Sequence, residues 1–187
     1  MDTEDKSIDN ASNMFIYVHA LIDTDRIRSK YSALSQDKNN PTWINDASLI
    51  QLTVSECRGV ISGQGTANLK FKANVNDSVA FTGMSVYANS DDAAIIYKIE
   101  HVSGEQVFNP FRQNIFVRKE AVIPDVNSAD GLPAKYKEVT FSQFSSSISK
   151  SGSENFTINF AIYKLDAMGQ RQVLVGYGRL DPTIVVN

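Results

Sequence analysis

One cysteine and two histidines in 187 residues remove whole classes of chemistry. Cys57 alone closes no intramolecular disulfide and builds no multi-cysteine metal centre, a usage suited to a reducing compartment. It stands beside Arg58, a cation that favours thiolate, yet a lone cysteine at a strand end reads more simply as packing. His19 and His101 lie on or near strand-like segments, and no G-x-S-x-G elbow occurs anywhere. A nucleophile needs a base that is itself oriented, so both histidines read as structural or surface residues and no enzyme is expected. The G-x-G of Gly63 and Gly65 runs on into an alternating strand, not the helix N-terminus that would hold a pyrophosphate.

Charge of one sign is scarce as well. Eighteen basic and 21 acidic side chains leave a net charge of −3. The densest basic spots, Arg26, Arg28 and Lys30, then Arg118 and Lys119, are short and diluted by acids. Phosphate recognition draws on a basic face, so no nucleic-acid partner is expected. Long apolar runs are missing too. Met14–Ile22 contains His19 and falls far short of the ~20 residues that span a bilayer, so no membrane partner is expected. The first thirteen residues set Asp2, Glu4, Asp5 and Asp9 against one Lys6, the reverse of a secretory start. A cytoplasmic protein is expected, with cofactors none beyond the calcium weighed below.

What is present is the material of strands. A hydrophobic content of 42% in a chain of this length can bury a sizeable core. Residues 1–13 read as a disordered tail and 14–187 as a single domain. Met14–Ile22 is a plausible first strand, and Thr24–Tyr31 a short helix capped by the Thr24 hydroxyl. Leu69, Phe71, Ala73 and Val75 alternate with Lys70, Lys72 and Asn74, the period-two signature of a strand with one wet face. The nearly continuous apolar run Ala93–Ile99 suggests a central strand covered on both faces. Between Asn109 and Pro133, one strand is expected at Ile115–Val117. Then Val139–Ile148, Asn155–Tyr163, Val173–Gly178 and Thr183–Val186 make a meander, with Phe156, Ile158, Phe160 and Ile162 on one face. About ten strands at ~8–12-residue spacing predict an all-β, two-sheet antiparallel sandwich, jelly-roll-like or immunoglobulin-like.

Two oxygen-rich clusters are the candidate sites. Asp23 and Asp25 follow the first strand; in extended geometry they project to one side and could share a hard cation. Asn89, Ser90, Asp91 and Asp92 precede the apolar run. Calcium takes ~6–8 oxygen ligands from such loops, which makes Asp23, Asp25, Asp91 and Asp92 the metal candidates. Turn chemistry accounts for Asn89–Asp92 more simply than a metal does, since Asn and Asp bond their own backbone. Trp43, in the long irregular stretch after the first strand, is either a sugar-stacking or interface aromatic or a pin that holds its loop on the sandwich.

Five strings in order resemble the PixA/AidA inclusion-body protein family: SQDKNNPT at 35–42, SGQGTANLKFKANVNDSVAF at 62–81, YANSDDAAIIYKI at 87–99, SGSENFTINFAIY at 151–163 and GYGRLDPTIVV at 176–186. The resemblance runs from about Phe15 to Val186. It implies a cytoplasmic bacterial protein, some members accumulating as crystalline inclusions and some under quorum-sensing control in host-associated bacteria, with no catalytic residues to carry over. The chain departs from the pattern at Asn76–Thr82, where many members have arginine, and its four methionines do not suit a methionine store. The expectation is a non-catalytic inclusion or storage protein that assembles as a homo-oligomer, since heterologous contacts that do not close extend indefinitely. A charge of −3 offers little repulsion against association. The alternative is a lectin-like carbohydrate-binding sandwich, its ligand held near Asp23, Asp25, Trp43, Asn89, Asp91 and Asp92 with calcium positioning the hydroxyls.

Overall fold

Alternating apolar side chains become two facing sheets in the computed structural model, which describes residues 13–55 and 57–187. The tail expected over 1–13 lies, apart from Asn13, outside the described residues. In chain order the first elements are β1 (Phe15–Ile22), helix α1 (Thr24–Lys30), β2 (Thr42–Trp43), β3 (Ile50–Ser55), β4 (Val60–Ser62), β5 (Asn68–Phe71) and β6 (Ser78–Ser85). They are followed by β7 (Ala93–Gly104), β8 (Arg112–Ile123), β9 (Lys135–Ser147), β10 (Gly152–Leu165), β11 (Gln172–Leu180) and β12 (Thr183–Val186). One sheet runs β3-β1-β6-β9-β8; the other runs β2-β11-β10-β12-β5-β4, with β7 on the remaining side of β10. The sandwich is as expected, but its sheets are mixed and not purely antiparallel: β1 lies parallel to β6, β2 to β11 and β5 to β12.

Period two decides what is inside along β1. Ile16, Val18, Ala20 and Ile22 of β1 are buried and alternate with more exposed residues, whereas β10 is covered on both faces: Phe156, Ile158, Phe160 and Ile162 are buried, and so are Thr157, Asn159 and Ala161 between them. Between the sheets Phe81 meets Phe108, Phe111 and Phe156 edge-on, with ring centroids 6.1, 5.2 and 5.7 Å apart. Such contacts add to the ~1.5–3 kcal/mol that burying each ring supplies. The sheets come closest where β6 crosses β7. Gly83 allows this, because a Cβ there would overlap the Ile96 side chain.

Several local expectations change. Asp23, not Thr24, caps α1: its carboxylate accepts from the Arg26 N–H at 3.0 Å, while Thr24 is the buried first helical residue. Asp25 is therefore helical, and the extended geometry expected for the Asp23/Asp25 pair does not hold. The Ala93–Ile99 run is not a central strand. β7 pairs only with β10 among the described strands; Ala94, Ile96 and Ile99 face the core, whereas Ile95 is 47% exposed. Val75 lies beyond the end of β5 and is exposed, so the alternation stops at Ala73. The strand expected at Ile115–Val117 is twelve residues long, and its partner β9 thirteen.

One buried carboxylate joins several of these strands. Asp77, fully buried, accepts from the Met14 N–H (2.9 Å), the Asn74 N–H (2.7 Å) and both arms of Arg58 (3.0 Å each). Its backbone N–H–side neighbour Asn76 donates to the Ile148 carbonyl (2.8 Å), and the Ile148 N–H donates to the Asp77 carbonyl (2.9 Å). Burial pushes the Asp77 carboxyl up, but the Arg58 guanidinium and the two N–H donors outweigh it and hold the pKa below the usual carboxylate value. A depressed folded pKa contributes stability above the unfolded value of ~3.9, lost as pH falls through the folded value. Asp77→Asn should lower stability by about 3 kcal/mol at pH 7, with the difference from wild type shrinking below about pH 4. Urea unfolding across pH 3–7 checks this; a difference independent of pH would show that Asp77 acts by shape alone.

Candidate functional site

The two acidic clusters do meet, and a guanidinium stands between them. Arg28, on the last turn of α1, donates from Nε to Asp92 Oδ2 at 2.8 Å and from its terminal nitrogen to Asp25 Oδ1 at 2.9 Å. Asp92 is buried, and Arg28 supplies the positive charge that a buried carboxylate requires. Asp23 is engaged as the helix cap and lies 3.7 Å from the Arg26 guanidinium. Asn89, at φ 61°, closes its loop by accepting from the Ser85 N–H (2.8 Å) and the Ala94 N–H (2.9 Å). Gln172 of β11 clamps the same loop, donating to the Asn89 and Ser90 carbonyls at 2.8 Å each. Asp91 is exposed beside them. Among the described residues no group of three or more His, Cys, Asp or Glu is arranged to hold a metal ion.

Trp43 is elsewhere, on β2 at the end of the other sheet, where it pairs in register with Arg179 of β11. The Arg179 guanidinium lies 4.4 Å from the centre of its ring, a cation–π contact. A groove of about 510 Å³ lies along this sheet, its walls including Tyr97, Tyr163, Tyr177 and Asn159 and, from β8 of the other sheet, Gln113. Tyr97 and Tyr177 meet edge-on at 5.7 Å, and the Tyr97 hydroxyl donates to the Lys38 carbonyl at 2.7 Å. Burial, with Tyr177 and Asp37 adding to it, pushes the Tyr97 phenol up to about 12, so it stays a neutral donor. Asn159 is buried, and its Oδ1 has no hydrogen-bond partner among the described residues.

The histidines sit in pairs that hold strands. His19 Nδ1 lies 2.7 Å from Thr82 Oγ1 across β1 and β6. His101 Nδ1 lies 2.9 Å from the buried Glu154, which also accepts from the Phe108 N–H at 2.8 Å.

The most conspicuous surface is formed by β8 and β9, which the sequence shows only as shorter strands at Ile115–Val117 and Val139–Ile148 and not as an exposed ribbon. β9 pairs with β6 only from Phe144 to Ser147; beyond that, it and β8 continue as a two-stranded ribbon. No residue of β8 is buried. Ile115, Val117, Val122 and Tyr136 share one face of the ribbon, and the first, third and last are 65%, 66% and 69% exposed. On the other face Phe116 and Phe141 stack at 5.7 Å with the Arg118 guanidinium 4.8 Å over Phe116. A ribbon of two strands is marginal by itself in water, and apolar side chains on both faces mark a contact surface. The signal available in the sequence was Pro110 and Pro124 bracketing a stretch free of proline and glycine.

No helix among the described residues is long and apolar enough to cross a membrane. No curated protein matches the chain. A crystal structure of an inclusion body protein from Burkholderia cenocepacia J2315 superposes with a TM-score of 0.81 at 30% identity, covering 95% of this chain and 98% of that one. The model of the PixA family, described as inclusion body protein, matches residues 14–186. With the same fold over nearly its full length and the family pattern from end to end, this chain belongs to the PixA inclusion body protein family.

Proposed function

We propose that this chain is a non-catalytic protein that associates with copies of itself into cytoplasmic inclusions, and that the β8–β9 ribbon is the surface through which copies meet. The observation that carries this reading is the ribbon itself. It exposes Ile115, Val122 and Tyr136 on one face and stacks Phe116 on Phe141 on the other, outside the sandwich core. Removing an exposed isoleucine, valine or tyrosine from water against a neighbour favours association at about 25 cal/mol per Å². The paired histidines support a non-catalytic role, since each is already held by a strand neighbour.

A carbohydrate-binding role is the second reading, and the tyrosine-lined groove supports it better than the acidic clusters do. Tyr97, Tyr163 and Tyr177 offer faces for a sugar ring, and the unpartnered Asn159 amide oxygen offers an acceptor for a hydroxyl.

Light scattering over a wide concentration range tests the first reading. Mass should climb reversibly with concentration for the wild type, and Val122→Lys with Tyr136→Ser should hold the protein at lower mass while its circular dichroism is unchanged. A wild type of fixed monomeric mass would sink the self-assembly reading. For the second, a glycan panel should give binding that Tyr177→Ala weakens by roughly tenfold or more, about 1.4 kcal/mol. Because Arg28 already bonds both Asp25 and Asp92 and occupies the space between them, calcium or a chelator should leave the melting temperature unchanged. A calcium-dependent rise would put a cation in that cluster.

A further inference from the structure

We propose that two copies join by strand addition, the free edge of β8 pairing antiparallel with the same edge of a second copy so that Lys119 of each stands opposite Glu120 of the other. This rests on the self-assembly proposed above and names its contact. β8 ends its sheet: β9 bonds one side of it, and no strand among the described residues lies along the other. Its edge is twelve residues long, carries apolar side chains on both faces and contains no proline. Such an edge presents unpaired N–H and C=O groups and is a template for a further strand.

The register comes from a bulge. Arg118 stands opposite Val139 and Ala121 opposite Lys137, so Lys119 and Glu120 together face Glu138 alone. Val139 and Lys137 are two apart and share a face, which puts Arg118 and Ala121 on one face as well. By the same pairing Val117 and Val122 share a face, opposite Thr140 and Tyr136, and so do Phe116 and Ile123, opposite Phe141 and Lys135. In a strand without the extra residue, each of these pairs would be split between opposite faces. Directly opposed residues of an antiparallel pair lie on the same face. The bulge is therefore what permits a two-fold contact centred between Lys119 and Glu120, where residues of unlike parity oppose one another.

The chemistry of the edge fits that centre. Lys119 meets Glu120 twice, Val117 meets Val122, Phe116 meets Ile123 and Arg118 meets Ala121, with no like charges opposed. Sliding the register by two residues one way sets Arg118 against Lys119, and the other way sets Lys119 against Val122. Opposed like charges are destabilising, whereas opposite charges and apolar pairs each stabilise a sheet by ~0.2–1 kcal/mol. The contact uses the same patch on both partners and closes at two copies, so the growth of an inclusion proceeds from this dimer through the apolar faces of the ribbon, which edge pairing leaves exposed.

Sedimentation of the full chain tests the pairing. Lys119→Glu opposes glutamates at the centre and should raise the dimer dissociation constant by roughly tenfold or more. The charge swap K119E/E120K should restore it. Both side chains are exposed, so circular dichroism should be unchanged in each variant. In a Cys57→Ser background, V117C/V122C should oxidise to a covalent dimer while V117C alone should not. A K119E dimer as tight as wild type, a swap that fails to restore it, or no cross-linking in V117C/V122C would each overturn the β8 pairing. If those results appear while the wild type still assembles, only the contact is wrong. A wild type that stays monomeric at all concentrations removes the assembly reading and this contact together.

Discussion

A carboxylate with no exposure to water is stable only if its lone pairs are satisfied, and Asp77 has four donors aimed at it. They come from three places in the chain: the residue before β1, the loop after β3 and the turn before β6. The turn that carries Asp77 is bonded in addition to Ile148, just past the end of β9. Burying the charge without these partners would cost several kcal/mol, so the segments must arrive together. What they fix is the start of the parallel pair β1/β6 and the root of β9 on β6. Every residue of the ribbon is positioned from that root.

The molecule thus divides into a satisfied part and an unsatisfied one. Inside the sandwich the phenylalanine rings of β6, β10 and the segment before β8 pack edge to face, and backbone groups are paired across the sheets. In the ribbon the backbone of β8 is bonded on one side, and its apolar side chains face water on both. Apolar side chains grouped on a surface in this way mark a site of contact. The small net charge leaves short-range contacts to decide whether copies associate.

Arg28 illustrates how tertiary structure recasts a cluster. Asp25 and Asp92 are far apart in the chain, and each looks like a hard-cation ligand when read with its own neighbours. Folding brings α1 against the loop before β7, where one guanidinium serves both carboxylates. A fixed side-chain cation bonded in two directions does locally what an ion would otherwise do. Trp43, read as either a binding aromatic or a pin, ends over Arg179 at a sheet margin and apart from those acids.

Period-two alternation determined β1, β11, β12 and the inward face of β10, because the pleat places every second residue on the same face whatever lies beside the strand; it did not show that Thr157, Asn159 and Ala161, on the other face of β10, are buried as well. It also determined the sandwich, since hydrophobic faces of this number and length must cover one another. The edges were decided elsewhere. Ala93–Ile99 has the composition of a strand covered on both faces, yet β7 borders only β10; β8 mixes charge with apolar residues and reads as a fragment, yet spans twelve residues because β9 supports it. Hydrogen-bond neighbours, parallel pairing, the meeting of Asp25 with Asp92 and the tyrosine-lined groove all depend on contacts between distant segments. A side chain's periodicity is written in its immediate neighbours, whereas the strand beside it, or the lack of one, exists only once the whole chain has crossed.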